Sequence, residues 1–292
     1  MTVSVLVPSS LTREAEDKRE ATRKLGYVAR AATVFRVDRL VVFPDRGAEG
    51  RWGGGFVETV LRYAATPPYL RKEAWGKRDE LEYVGVMPPL HTAPRTGSGS
   101  DESGSLRQGI VTEVGSEARV RVNCGLQHPV SLPVPDGMDV GEGERVTIRV
   151  SSRRPVRAKL VDKSPPGYDV IASDLSTELS RDDAGVTVAT SRHGEALSVD
   201  RLGDIVAETG TRGMTVAFGS PERGLPEMLG FDPADVPSGG SEEVVADEAA
   251  YSDEPDGSRF DLWLDAVPNQ GSEVVRTEEA MFAVLACLSL TE

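Results

Sequence analysis

The alternation of apolar and polar positions changes texture twice along this 292-residue chain. Val3-Ser-Val-Leu-Val7 is a β-branched run closed by Pro8, which predicts a first strand. Thr12 is placed to cap a helix behind it, with Glu14, Glu16 and Asp17 early and Lys24 and Arg30 later. Ala21, Leu25, Val28, Ala32 and Phe35 step by four and three and mark that helix's buried face. Leu40-Val-Val-Phe43 predicts a second strand, so strand, helix and strand form a parallel unit with a right-handed crossover. Phe56 to Ala65 predicts a short helix, broken at Thr66-Pro-Pro68.

The texture then changes. Residues 96–105 are rich in Gly and Ser and read as a linker. Beyond it, 109–114, 118–122, 129–132 and 145–150 are short alternating segments parted by Gly, Pro and Asp, the pattern of a small antiparallel barrel. Arg119, Arg121, Arg145 and Arg149 are expected on its outer face, alternating with inward Val and Ile. From Gly109 to Asp162 there is no Phe, Trp or Tyr, so a nucleic acid would be held here by arginine on the backbone and not by stacked bases.

Pro165-Pro-Gly167 restores the α/β texture. Val186-Thr-Val-Ala189 predicts a strand ending in a loop, Thr190-Ser-Arg-His-Gly194, and Leu197 to Glu208 a helix. Met214 to Phe218 predicts a strand followed by the turn Gly219-Ser-Pro-Glu-Arg-Gly224. The run from Phe260 to Val267 predicts a buried strand, with a turn at Pro268, Asn269 and Gly271. Thr277 is expected to cap a last helix, with Glu278 and Glu279 in its first turn; from Ala280 to Leu290 it is nearly all apolar and expected to be buried on most sides. The expected division is 1–95 and 164–292 as two parts of one α/β domain, 106–163 as an inserted barrel, and 238–256 as an acidic, mobile surface insertion.

The formal net charge is −14, yet the seven basic residues from Arg145 to Lys163 face a single acid, Asp162. Only six of the 33 basic residues are lysine. Abundant carboxylates and scarce lysine suggest a halophilic protein, adapted to a cytoplasm of high salt. Cys124, Cys287 and the three histidines form no ligand-spaced cluster, so neither a metal site nor a disulfide framework is expected. No signal segment or membrane-length apolar run is visible, and a cytoplasmic protein with no membrane partner is expected. Gly219 and Gly224 have neither the spacing of a dinucleotide fold nor that of a P-loop.

Two segments carry a resemblance: Phe218-Gly-Ser-Pro-Glu-Arg-Gly224, and Pro268-Asn-Gln-Gly271 followed by Val275-Arg-Thr-Glu-Glu-Ala280. Together they resemble the SPOUT class of α/β-knotted RNA methyltransferases, in the branch that carries an inserted OB-like barrel and includes uridine-N3 methyltransferases of ribosomal RNA. Pro68-Tyr-Leu-Arg-Lys72 and Met87-Pro-Pro-Leu90 resemble the same branch. The resemblance implies a knotted parallel sheet, a homodimer packed through the last helix, and S-adenosyl-L-methionine held by three loops after strands.

On that basis the cofactor-binding residues are Thr190, Ser191, Gly194, Phe218, Gly219, Ser220, Gly224, Pro268, Asn269, Gln270, Gly271 and Thr277. Arg223, Arg276 and Glu222 are the catalytic candidates, the two arginines to hold the target nucleotide or its phosphate and Glu222 for a polar contact to cofactor or substrate, and His193 is the candidate for a general base. Arg153, Arg154 and Arg157 are the expected RNA contacts of the barrel. Arg71 and Lys72 read either as a solvated face or as contacts to RNA phosphates. The expected function is an S-adenosylmethionine-dependent methyltransferase acting on RNA, with ribosomal RNA and uridine N3 as the expected target. Its rival is a non-catalytic RNA-binding or ribosome-assembly protein on a degenerate scaffold of the same kind.

Overall fold

A computed structural model describes residues 2–46, 51–53, 55–90, 105–116, 118–163, 165–221, 223–230, 232–236 and 260–290. The segment expected to be an acidic insertion, and most of the Gly/Ser linker, lie outside the described residues. In chain order the strands are β1 (Val3–Pro8), β2 (Arg39–Phe43), β3 (Ser105–Val114), β4 (Arg119–Asn123), β5 (Val130–Pro133), β6 (Arg145–Arg153), β7 (Val156–Val161), β8 (Asp169–Ala172), β9 (Val186–Ala196), β10 (Met214–Ala217) and β11 (Leu262–Asp265). The helices are α1 (Lys18–Val34), α2 (Phe56–Ala65), α3 (Arg71–Ala74), α4 (Leu175–Leu179), α5 (Val199–Arg212), α6 (Leu225–Leu229) and α7 (Thr277–Leu288). They form two compact units. One spans residues 1–62, 80–89 and 168–292, the other 63–79 and 90–167.

The first unit is α/β. Its six strands lie in the order β11-β9-β10-β1-β2-β8, and every pairing is parallel. Such a sheet needs apolar side chains on both faces, and Val5, Leu6, Val7, Leu40, Val41, Val188, Val216 and Ala217 supply them at 6% exposure or less. Because all strands run one way, all their carboxyl ends open at the same edge of the sheet.

The first helix starts later than Thr12. Residues 9–15 are wound into turns, with Leu11 N–H bonded to the Pro8 carbonyl and Arg13 N–H to that of Ser10, and Leu11 and Thr12 are buried. Asp17 is the N-cap instead, accepting from the Glu20 N–H. The stretch Thr190 to Gly194 is not a separate loop but part of β9. Here β9 leaves the ladder: Trp263 of β11 pairs with Ala189, and the next residue, Leu264, pairs with Glu195. Gly194 closes this bulge. A Cβ there would stand 2.7 Å from the Leu264 nitrogen and the Trp263 carbonyl carbon, so the two backbones meet only because the side chain is absent.

The last helix also departs from expectation. Its N-cap is Arg276, whose N–H donates to the Glu279 carboxylate; the Thr277 hydroxyl points elsewhere, to the Gly219 carbonyl at 2.9 Å. α7 is buried along one face, through Met281, Val284, Leu285 and Leu288, while Phe282, Ala283 and Cys287 are half-buried and Ala286 is exposed.

The second unit is an antiparallel sheet in the order β5-β4-β3-β6-β7. Its edge strands β5 and β7 come into contact, so the sheet is nearly closed. Val111, Val120, Val122, Cys124, Leu132, Val146, Ile148 and Leu160 fill the inside. Burial of Cys124 pushes its thiol up. Of the four arginines expected outside, Arg119 and Arg121 are exposed, but Arg149 is buried and Arg145 donates to the Thr66 hydroxyl. Residues 63–79 cover the part of the outer face on which Arg145 lies. Tyr69 packs against Gly125 and donates to the Gln108 carbonyl, and Gln108 is itself 3% exposed.

Candidate functional site

β11, β9 and β10 are neighbours in the sheet, so the segments that follow them converge on one place. They enclose a cavity of about 220 Å³ in the first unit. The β9 bulge contributes Thr190 to His193, the turn after β10 contributes Phe218 to Pro221 and Gly224, and the end of β11 contributes Leu264 to Val267. Pro226 and Glu227 of α6, Pro233, Gln270, Glu273 to Val275, and Thr277, Ala280 and Val284 of α7 complete the wall.

Each wall is fixed by a bond to its neighbour. The Thr190 hydroxyl donates to the Ala217 carbonyl at 2.8 Å, tying the bulge to β10. Thr277 ties α7 to the turn at Gly219. That turn is closed by Ser220 N–H to the Arg223 carbonyl and the reverse bond from Arg223 N–H. Gly219 serves the turn itself: a Cβ would lie 2.9 Å from the Leu225 nitrogen. Gly271, by contrast, faces open space.

The chemistry of the wall is mixed. Leu264, Val267, Val275 and Val284 make an apolar part, Asp265, Glu227 and Glu273 bring carboxylates, Arg192 and His193 bring a guanidinium and an imidazole, and Ser191 and Gln270 bring neutral polar groups. Burial pushes the Asp265 carboxyl above the usual range, while the Val267 N–H it accepts and nearby His193 pull it back. Such a set suits a ligand with an apolar ring, hydroxyls and a positive centre: carboxylates accept from hydroxyls and offset a cation, and aliphatic side chains cover the ring.

Of the residues expected from sequence, Thr190, Ser191, Phe218, Gly219, Ser220, Gly224, Gln270 and Thr277 line this cavity. Gly194, Pro268, Asn269 and Gly271 are not among its lining residues, and Glu222 lies outside the described residues. Arg276 caps α7 and is exposed, 4.0 Å from Glu20. Arg223 turns away from the cavity: its guanidinium is 2.6 Å from Asp45, and it also donates to the Glu227 carbonyl. Asp265, Glu227 and Glu273 also line the cavity and are not among the residues expected from sequence. The signal for Asp265 was its place at the carboxyl end of an apolar run, next to the expected turn.

In the second unit, Arg71 is held by the carbonyls of Thr66 and Ala64 and lies 4.7 Å over the Tyr63 ring, whereas Lys72 is exposed. Arg154 and Arg157 are exposed; the Arg153 side chain is outside the described residues.

A family model described as "Putative RNA methyltransferase" matches residues 2–288. The chain is 68% identical to an uncharacterized protein of Haloarcula marismortui and 67% identical to one of Halobacterium salinarum, over 100% of each pair. It is 28% identical to the 28S rRNA (uridine-N(3))-methyltransferase of Homo sapiens, over 98% of this chain and 77% of that one. The chain belongs to this RNA methyltransferase family.

Proposed function

From this membership and the geometry of the cavity, we propose that the chain is an S-adenosylmethionine-dependent methyltransferase of a ribosomal RNA base, with uridine N3 the favoured atom. The observation that carries the proposal is the convergence of three post-strand segments on one cavity with Asp265 and apolar side chains in its wall. The human relative's named reaction supplies the RNA and the atom. S-adenosylmethionine supplies the methyl carbon, activated as a sulfonium. Asp265 and Glu273 would accept from ribose hydroxyls and balance the sulfonium charge, and Leu264, Val275 and Val284 would cover adenine. Thr190 and Thr277 hold the walls in register, so their contribution is positioning. With the donor bound, its sulfonium would give the methyl carbon to N3 and leave as the thioether, and the N3 proton would have to depart; His193, exposed at the cavity, is a candidate to take it.

The same reading assigns the first unit to the SPOUT class, with its three cofactor loops forming the trefoil knot. It assigns 106–163 as an OB-like insertion gripping RNA through Arg154 and Arg157. It also makes the protein a homodimer through the half-buried flank of α7. Sedimentation in high salt, which screens −14 charges per chain, is expected to give twice the chain mass; a monomer at micromolar concentration contradicts the dimer. The function is tested by mass spectrometry of ribosomal RNA nucleosides from a strain lacking the gene. Loss of one methylated uridine is expected, and an unchanged nucleoside profile contradicts the assignment.

A further inference from the structure

The barrel strands carry no aromatic residue from Gly109 to Asp162. The second unit has aromatic rings all the same, because residues 63–79 belong to it and bring Tyr63, Tyr69 and Trp75 to its outer face. That segment has had no role so far beyond covering the sheet.

Tyr69 is 39% exposed, yet it is fixed at two points. Its hydroxyl donates to the Gln108 carbonyl at 2.9 Å, and its ring rests on Gly125, where a Cβ would stand 2.6 Å from the ring carbons. The absent side chain seats the ring on the backbone. Ordering a side chain on binding costs entropy, and this exposed ring is ordered beforehand. Trp75 is half-buried and is fixed in a similar way. Its indole N–H donates to the Thr66 hydroxyl at 2.9 Å, which also accepts from Arg145 at 2.9 Å, and the Tyr63 ring meets it edge-on at 5.9 Å. The exposed Arg78 lies 5.3 Å over the Trp75 ring. A ring face that takes a planar cation from solvent also takes a planar base.

The charges beside these rings divide into two groups. Arg71 builds the platform, held by the carbonyls of Thr66 and Ala64 and lying over Tyr63. Lys72, Lys77 and Arg78 are exposed. Of the two acids in the segment, Glu73 accepts from the Asn123 amide, and Asp79 stands at its end. The second unit as a whole carries 15 basic and 11 acidic residues, against a net charge of −18 for the rest of the chain. A polyanion is therefore drawn to this unit and repelled by the other. Ordered rings interleaved with exposed cations suit a single strand of nucleic acid, whose bases stack on the rings while its phosphates meet the cations. A duplex keeps its base faces stacked inside and offers the rings nothing.

We propose that the strip from Tyr69 to Arg78 binds single-stranded RNA, with Tyr69 and Trp75 stacking on bases and Lys72, Lys77 and Arg78 meeting the phosphates beside them. The proposal rests on the RNA-substrate part of the reading above and needs no methyl transfer. The strip supplies the stacking that the barrel strands lack. Phosphate contacts weaken as salt rises, because the released counterions return; stacking on Tyr69 and Trp75 releases none.

The test uses the full chain and a fluorescein-labelled oligouridylate, with binding followed by fluorescence anisotropy over a range of salt. The wild type is expected to bind it, and unlabelled single strand should compete where duplex RNA does not. Tyr69→Ala and Trp75→Ala should each weaken binding about 5- to 100-fold with the salt slope unchanged. Tyr69→Phe, which keeps the ring and loses the bond to Gln108, should stay within about twofold of the wild type. Lys72→Ala, Lys77→Ala and Arg78→Ala combined should reduce the slope by about two, at about 0.7 for each phosphate on a single strand. Should an alanine variant fail to fold, the wild type is irradiated on RNA carrying 5-iodouridine, and crosslinked peptides are expected to include Tyr69 or Trp75. Unchanged affinity in both alanine variants, equal loss in Tyr69→Ala and Tyr69→Phe, equal competition by duplex, or crosslinks confined to residues outside the strip overturn the proposal. No binding by the wild type overturns the RNA reading with it. A wild type that binds RNA but no S-adenosylhomocysteine defeats the donor reading alone.

Discussion

The two units show arginine in contrasting settings. In the parallel-sheet unit, Arg223 is clamped on Asp45 and Arg39 on Glu178. In the antiparallel unit, Arg154 and Arg157 stand exposed at the β6–β7 hairpin, and Arg119, also exposed, donates to Ser131 of a neighbouring strand. A clamped guanidinium fixes a wall, because its planar fork holds two acceptors at once. An exposed one keeps its donors for a partner. Residue type alone therefore does not say whether an arginine builds a site or grips a ligand; burial of its carboxylate does.

The strongest way to break this comparison is to remove a clamp. Asp45 is buried, with its side chain 2% exposed, while that of Arg223 is 23% exposed. Arg223→Ala would leave the buried Asp45 carboxylate without its guanidinium partner, the Ser10 hydroxyl still donating to it, and should cost about 2–3 kcal/mol of folding stability. Denaturant titration of this variant beside Arg223→Lys measures it. A loss below about 0.5 kcal/mol, the size of an exposed pair, would show that Arg223 is not a clamp.

A second test addresses the exposed arginines. Replacing Arg153, Arg154 and Arg157 together by Ala should weaken RNA binding about tenfold and reduce the salt slope of binding by about three, one for each lost phosphate contact. Affinity for S-adenosylhomocysteine should not change. Wild-type RNA affinity, or parallel loss of both ligands, would remove the division of labour between the units.

Much of the comparison was legible in the chain. β1, β2 and β10 follow from β-branched runs with turn residues behind them, and the antiparallel strands from alternation. What escaped depends on contacts far apart in sequence. Thr12 has the chemistry of a cap, but burial of Leu11 in the preceding turns delays the helix to Asp17. Thr277 has it too, and spends its hydroxyl on Gly219, 58 residues away. The β9 bulge is invisible locally, since only the pairing of β11 with both Ala189 and Glu195 defines it. Arg149 sits in perfect alternation on the outer face yet is buried, which alternation alone does not reveal. The rings of the second unit escaped too, since residues 63–79 bring them from outside the barrel's own sequence.

The smallest effect expected is a dependence on pH. Glu278, at the start of α7, is buried, and burial raises its carboxyl above the usual range, with Lys24 nearby at 3.9 Å opposing the shift. A raised folded-state value means that the stability it contributes is complete below the ordinary carboxylate range. That stability is lost as pH rises through the raised value. Glu278→Gln should flatten that part of the stability profile, measured by thermal denaturation from acid to neutral pH. A variant with the same slope as the wild type would place the titration elsewhere.

The proposed seat of the methyl donor is the cavity walled by the β9 bulge, the turn after β10 and the segment from β11 into α7. Titration calorimetry of the full chain with S-adenosylhomocysteine in high salt tests it most directly. A saturable heat with one site per chain is predicted, reduced in Asp265→Asn and unchanged in the triple arginine variant. No saturable heat from the folded wild type would contradict it, and would leave a non-catalytic RNA-binding protein on a degenerate methyltransferase scaffold.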